Sequence, residues 1–248
     1  MTEQLKEIIR EAGSAILDFY DDDIEVTSKD DDSPLTKADM AAHHVIVNGL
    51  NELDPDTPVI SEEAKLPDYS VRKDWARFWL VDPLDGTKEF IKKNGEFTVN
   101  IALIENETPV LGFVYLPAKK VLYYGSKEHG SFKEDDGEEP VRIYSKKAEK
   151  PGPMTVITSR SHKSDDLEDT LKAQNIQIGK IIQAGSSLKI CFVAEGKADI
   201  YPRMGPTMEW DVAAGDAVYR YSSPEGAHES PLTYNKETLK NDGFIIGL

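Results

Sequence analysis

The chain has 248 residues, 39% hydrophobic and 30% charged, with 17 glycines and 14 prolines spread along it. That composition excludes collagen-like, coiled-coil and wholly disordered classes and suits one large domain or two small ones. Forty-five acids against 29 lysines and arginines leave a net charge of −16, which repels nucleic-acid polymers and admits a small anion only where divalent cations or a local basic cluster reverse the field. The acidic N-terminal segment lacks a secretory layout, no stretch approaches the roughly 20 apolar residues of a membrane span, and the only cysteine is Cys191. These features predict a cytoplasmic protein without disulfides, with contact at the inner membrane face left open.

Leu5, Ile8, Ile9, Ala12, Ile16 and Phe19 recur at helical spacing and predict an amphipathic helix over 3–20. Ala41, Ala42, Val45, Ile46, Leu50 and Leu53 repeat the pattern, with a helix start at Thr36-Lys37-Ala38-Asp39. Val59-Ile60 fits only a strand, and the apolar run 78–82 reads as a buried strand ended by Pro83. Alternation at Phe97, Val99, Ile101 and Leu103, then 110–116, 121–125 and 141–143, predicts an antiparallel meander, with a turn-rich acidic loop at 134–139. After a break at Pro151-Gly152-Pro153, strands at 154–158, 178–182, 199–202 and 244–246 alternate with helices at 167–173, 186–194 and 210–219. The whole reads as an α+β protein of alternating sheet and helix layers, in two halves, 1–150 and 151–248.

Five carboxylates stand where strands end or helices begin: Glu62, Glu63, Asp82, Asp85 and Asp211. In Asp82-Pro83-Leu84-Asp85-Gly86-Thr87 the proline breaks regular structure between the two acids, so that both, with the Leu84 carbonyl, can face one point. Oxygen-only ligands without His or Cys favour magnesium over zinc or copper. Gly86 allows close backbone approach, and Thr87 opens a short helix with free amides suited to a phosphate. Read alone, the hexapeptide is a turn and a helix cap.

Taken together, Ser61-Glu62-Glu63, Trp79 to Thr87 and Trp210-Asp211-Val212-Ala213-Ala214-Gly215 resemble the magnesium-dependent, lithium-sensitive superfamily of inositol monophosphatases, fructose-1,6-bisphosphatases and bisphosphate nucleotidases. The resemblance implies a layered α/β/α/β/α sandwich with two or more magnesium ions. It implies that Glu62 binds the first metal, Asp82 bridges two, the Leu84 carbonyl completes the first, and Asp85 with Asp211 holds the second. Glu63 would support these ligands from behind, and Asp39 with Thr87 would activate the attacking water.

The stretch 82–100, and Gly185-Ser186-Ser187-Leu188-Lys189 through Tyr201-Pro202-Arg203 to Trp210-Asp211, are similar to the bacterial 3'(2'),5'-bisphosphate nucleotidase branch. That similarity implies a small nucleotide substrate. Its 3'-phosphate would be removed from adenosine 3',5'-bisphosphate to leave AMP, with 3'-phosphoadenylyl sulfate as a further candidate. Glu62, Asp85, Gly86, Thr87 and Asp211 would meet the reacting phosphate, and Ser159, His162, Gly185, Ser187, Lys189 and Arg203 the rest of the nucleotide. An inositol or sugar phosphatase with the same metals, and a non-catalytic cation sensor, remain as alternatives. His43 and His44 read as packing or surface residues, Cys191 as core, and the runs at 21–23 and 30–32 as solvated loops, since neither has calcium-loop spacing.

Overall fold

Residues 1–20, 33–146, 152–160 and 167–247 are described in a computed structural model of the chain. The acidic runs at 21–23 and 30–32, Pro151 and His162 lie outside the described residues. The first apolar helix pattern forms α1 (Thr2–Leu17) and the second α2 (Pro34–Leu53). α2 starts before the Thr36-to-Asp39 segment expected to open it, because the Ser33 hydroxyl accepts from Thr36 N at 3.2 Å and satisfies a first-turn amide.

Then come β1 (Val59–Ser61), α3 (Tyr69–Arg72), β2 (Arg77–Asp85), α4 (Thr87–Ile91), β3 (Thr98–Glu105), β4 (Thr108–Leu116), β5 (Val121–Ser126), β6 (Gly130–Glu134) and β7 (Val141–Arg142). These strands make one sheet in chain order, antiparallel except for the parallel β1–β2 pair. β6 is a strand the sequence pattern conceals, since Gly-Ser-Phe-Lys-Glu offers one apolar side chain. Its last residue, Glu134, therefore belongs to the sheet and not to the acidic loop, and its carboxylate pairs with Lys6 at 3.1 Å and with Arg10.

The remaining elements are β8 (Pro153–Ser159), α5 (Leu167–Ala173), β9 (Gln177–Ala184), α6 (Leu188–Ala194), β10 (Tyr201–Arg203), β11 (Thr207–Met208), α7 (Glu209–Arg220), β12 (Lys240–Asn241) and β13 (Phe244–Ile246). β8 and β9 pair in parallel around α5. Asp199, expected in a strand, instead accepts from Thr155 N through its side chain at 2.6 Å.

Strand alternation sorts the sheet's side chains into two cores. Trp79, Val81, Val99, Ile101 and Phe113 meet Leu5, Ile9, Ala42 and Ile46 of α1 and α2. Phe78, Leu80, Ala102, Val114 and Tyr123 face the opposite way, onto α6 and α7. α6 also packs on β8 and β9, while Leu171 of α5 closes a third cluster with Met154 and Val156. The order is therefore helix, sheet, helix, sheet, helix, an α+β sandwich of five layers.

The middle helix layer lies close because two sheet residues have no side chain. A Cβ at Gly112 would overlap the Ala214 carbonyl of α7 and come within 2.7 Å of Ala217 Cβ, and one at Gly125 would stand 2.9 Å from Val218 Cα. This approach sets the depth at which α7 delivers its first turn, Asp211 included. Gly112→Ala should therefore cost about 1–3 kcal/mol as overpacking, read as a lower urea midpoint at unchanged slope. Gly205→Ala, with nothing within 4 Å of the added carbon, should stay within about 0.5 kcal/mol; equal effects would show that close packing of α7 is not what Gly112 provides.

Candidate metal centre and active site

The two acids of Asp82-Pro83-Leu84-Asp85 come to one face of the sheet by a route the sequence does not announce. The strand is not broken at Pro83: β2 continues to Asp85, and Asp82 pairs with Asn100 while Asp85 pairs with Thr98. Three steps on β2 thus oppose two on β3, which is a β-bulge, the one place in a sheet interior where proline is tolerated. Residues three apart normally face opposite ways. The extra residue restores Asp85 to the face of Asp82, because Asn100 and Thr98 are two apart and share a side. That face looks toward α6 and α7.

Each acid is then held by its own element. Asp82 is 1% exposed, and its Oδ1 accepts from Leu84 N at 3.1 Å, which fixes the bulge. Glu62 follows β1, and its amide donates to Val81 O at 3.1 Å, so the parallel pairing carries it alongside Asp82. Asp211 is in the first turn of α7, where its Oδ2 accepts from Met208 N at 2.8 Å in a capping arrangement. Glu62, Asp82 and Asp211 thereby each offer a carboxylate oxygen with all three within 4.8 Å of one another.

Asp85 stands beside this trio. Its Oδ2 lies 3.1 Å from the Ser187 hydroxyl, which also lies 2.6 Å from Asp211 O and accepts from Asn100 Nδ2 at 2.9 Å. Gly86, with φ +94°, turns the chain into α4, and a Cβ there would overlap the Ser186 hydroxyl. The turn is thus open only to glycine.

So many carboxylates in one place disfavour ionisation. Burial, then the charges of Glu62, Asp85, Asp211 and Asp39, push the Asp82 carboxyl well above its ordinary range. Burial raises Asp85 against the pull of Lys189 and Ser187. Asp211 is pushed up to about 7 by burial and by Asp85, against the Met208 amide. A set of hard oxygen donors that repel one another to this degree suits divalent cations.

A cavity of about 310 Å³ opens against these acids. Its wall brings together eight of the residues singled out from the sequence: Asp85, Gly86, Thr87, Asp211, Ser159, Ser187, Lys189 and Arg203. Gly185 adjoins it, with its amide donated to Glu96 Oε2 at 2.9 Å. Leu84 is buried, its side chain packed in the core between sheet and α2. Asp39 acts on Asp82 by charge, and Glu63 acts likewise on His43. His43 is buried with its Nδ1 2.8 Å from Ser61 Oγ, and Cys191 is buried in the core, so both serve packing.

Sequence reasoning did not single out Glu89 and Thr207, which also line the cavity, nor Glu96 beside it; Ser186 and Tyr201, which line it too, were named only within the motif that carries the resemblance. Glu89 carried a usable signal, an acid in the first turn of the segment opened by Thr87.

A family model for the "Inositol monophosphatase family" matches residues 1–220. The chain belongs to the inositol monophosphatase family. Members of that family are phosphatases and generally depend on a metal, and the acidic trio is the corresponding feature among the described residues. Within the family, the "3'(2'),5'-bisphosphate nucleotidase CysQ" of Salmonella typhimurium is 50% identical over an alignment of 254 positions, covering 99% of each chain. The protein of the same name from Escherichia coli K12 is 47% identical across the full length of both. Among solved structures, CysQ from Bacteroides thetaiotaomicron superposes with a TM-score of 0.80 at 43% identity, over 98% of this chain and 95% of that one.

The raised acids give this member of the inositol monophosphatase family a measurable pH signature. Folding holds more protons on Asp211 than the unfolded chain does between about pH 4 and about 7, so this group's contribution to stability falls as pH rises through that window. In excess chelator, Asp211→Asn should melt higher than the parent by a gap that is small at pH 4, grows to pH 7 and then levels. A gap that stays constant from pH 4 to 8 would contradict the crowding of charge at Asp211.

Proposed function

We propose that this chain removes the 3'-phosphate of adenosine 3',5'-bisphosphate, giving AMP and phosphate, with magnesium as its metal and 3'-phosphoadenylyl sulfate as a second substrate. The observation that carries the reading is the cavity itself. Asp85 and Asp211 stand at one end beside Glu62 and Asp82, and Lys189 and Arg203 line the same space. The full-length similarity to nucleotidases of that name supports the choice of substrate. Disposal of a by-product of sulfate assimilation is the physiological role that follows from this choice.

In this reading Glu62, Asp82 and the Leu84 carbonyl hold one magnesium ion, and Asp82, Asp85 and Asp211 a second. The ions, when bound, supply positive charge that neutralises the phosphate, acidifies the attacking water and stabilises the leaving 3'-oxygen. Thr87, on the cavity wall at the start of α4, orients that water, and Asp39 receives its proton. Glu63 steadies the cluster from the α2 side, near His43. Gly86 leaves room for a phosphate oxygen close to the backbone.

The other end holds the nucleotide. Burial lowers the Lys189 ammonium, Asp85 opposes this, and Arg203 adds to the lowering, so the two cations repel each other and attract an anion between them. Arg203 donates to Gly205 O at 3.2 Å and Pro206 O at 3.1 Å, contacts that limit the side-chain freedom lost when it binds the 5'-phosphate. Ser159, Gly185 and Ser187 border the ribose, and His162 completes the proposed set from the sequence.

The deciding experiment is phosphate release from a small panel of esters. Adenosine 3',5'-bisphosphate should be hydrolysed far faster than inositol 1-phosphate, with full dependence on magnesium, loss in chelator and inhibition by lithium. Arg203→Met should lower kcat/KM on the bisphosphate about ten- to a hundredfold, the loss of one charge-assisted bond, and leave an aryl phosphate nearly unchanged. Preference for inositol 1-phosphate, or turnover undiminished by chelator, would reject the proposal.

A further inference from the structure

Ser186 and Ser187 line the cavity beside Asp85 and Lys189, and the turn Gly185-Ser186-Ser187 adopts a conformation it would not choose alone. Ser186 has φ +46°, left-handed backbone that a non-glycine residue keeps only where its surroundings enforce it. Its hydroxyl donates to Asp85 O at 2.9 Å, and its carbonyl accepts from Lys189 Nζ. Ser187 follows and places its hydroxyl between Asp85 Oδ2 and Asp211 O. The entry to this turn is fixed from outside the cavity by one carboxylate, Glu96, on the segment joining α4 to β3.

Glu96 has three sets of bonds. Oε2 accepts from Gly185 N at 2.9 Å and from Arg160 Nε at 2.9 Å, and Oε1 accepts from Arg160 Nη2 at 2.9 Å. Lys119 Nζ stands 3.7 Å from Oε1. Glu96 is itself set by its own amide donating to Asn94 Oδ1 at 2.9 Å. Arg160 follows the end of β8, and its Nη2 also donates to Gln183 O at 3.1 Å, so one carboxylate ties β3, β8 and the β9–α6 turn together. Burial alone would raise this carboxyl; Arg160 and the Gly185 amide outweigh it and hold it below the ordinary range. The Arg160 guanidinium thus meets it as a bidentate pair, the geometry that favours its charged form. The approach is close enough that a Cβ on Gly185 would stand 3.0 Å from Glu96 O and 2.6 Å from Glu89 Cγ.

We infer that Glu96 is a positioning residue for the reaction, acting through the Gly185–Ser187 turn to hold the Ser187 hydroxyl against Asp85 and Asp211. The inference rests on the reading of this cavity as the hydrolytic site, and it goes beyond it by assigning a role to a residue that touches neither phosphate nor metal. A pair that merely tied the two halves of the chain together would affect melting alone. A positioning residue changes how Asp85 presents its carboxylate and where the Asp211 backbone is held, and so changes magnesium affinity and kcat together, on any substrate.

The test compares Glu96→Ala and Glu96→Gln in the full chain by four readings. These are kcat and KM on adenosine 3',5'-bisphosphate, the same constants on an aryl phosphate, magnesium affinity by calorimetry, and the thermal midpoint. The amide of glutamine still accepts from Gly185 N, whereas alanine does not. Glu96→Ala should lower kcat about tenfold on both substrates and weaken magnesium binding by a similar factor, the size seen when residues behind metal ligands are removed. Glu96→Gln should restore most of both. If alanine does not fold, Arg160→Met frees the Glu96 carboxylate to swing and should show a smaller loss of the same kind. Magnesium affinity equal to the parent's in Glu96→Ala, or in Arg160→Met where that is the variant measured, overturns the inference. So do identical constants for alanine and glutamine. A parent chain that cleaves the aryl ester but not the bisphosphate would overturn the nucleotide reading instead and leave this comparison standing.

Discussion

Mutual repulsion among carboxylates that the fold forces together is the constraint on which the rest of the site depends. Three acids from three separate elements bring oxygens within 4.8 Å of one another, and a fourth, Asp85, joins their field. A fold gains nothing from such a cluster by itself, since burial and repulsion both favour protonated acids. The arrangement acquires a purpose once divalent charge is added, and the surrounding structure is built to keep the acids in place until then. The Asp82 oxygen bonded to Leu84 N, the Asp211 oxygen bonded to Met208 N and the Ser187 hydroxyl beside Asp85 each occupy one oxygen and leave another for a ligand.

The layering explains why these elements meet. β1 and β2 bring Glu62, Asp82 and Asp85 to one end of the large sheet. α7, seated on Gly112 and Gly125, brings Asp211 down onto the same face. α6 and its preceding turn come from the smaller sheet, so the site is assembled from both sides of residue 150. The acids belong mainly to the large sheet, and the cations Lys189 and Arg203 to the later part of the chain. On the proposed reading, a negative chain makes room for an anionic substrate at one place, by setting basic side chains beside acids that divalent cations would neutralise.

Much of this was legible in the sequence, for reasons that differ by element. α1, β3, β4, β8, α5 and α7 carry regular apolar spacing, and their bounds follow from it within a few residues. The acid motifs were legible because Asp-Pro-Leu-Asp-Gly-Thr joined to Glu-Glu and Trp-Asp is a specific combination. What the sequence concealed depends on pairing partners distant in the chain. β6 has one apolar residue and exists because β5 and β7 flank it. The bulge at Pro83 needs β3 beside it before the count of two against three means anything. Glu96 looks like an ordinary surface acid until Gly185 and Arg160, 89 and 64 residues away, are folded against it.

The central claim is that the clustered acids are a divalent-cation site. Anomalous scattering from crystals grown with manganese in place of magnesium tests it most directly. The account predicts one manganese peak beside Glu62 and Asp82 and a second beside Asp82, Asp85 and Asp211, each at about 2.0–2.3 Å from its oxygens, and their disappearance in Asp82→Asn. Active crystals with no manganese near these carboxylates, or peaks unchanged in Asp82→Asn, would contradict it.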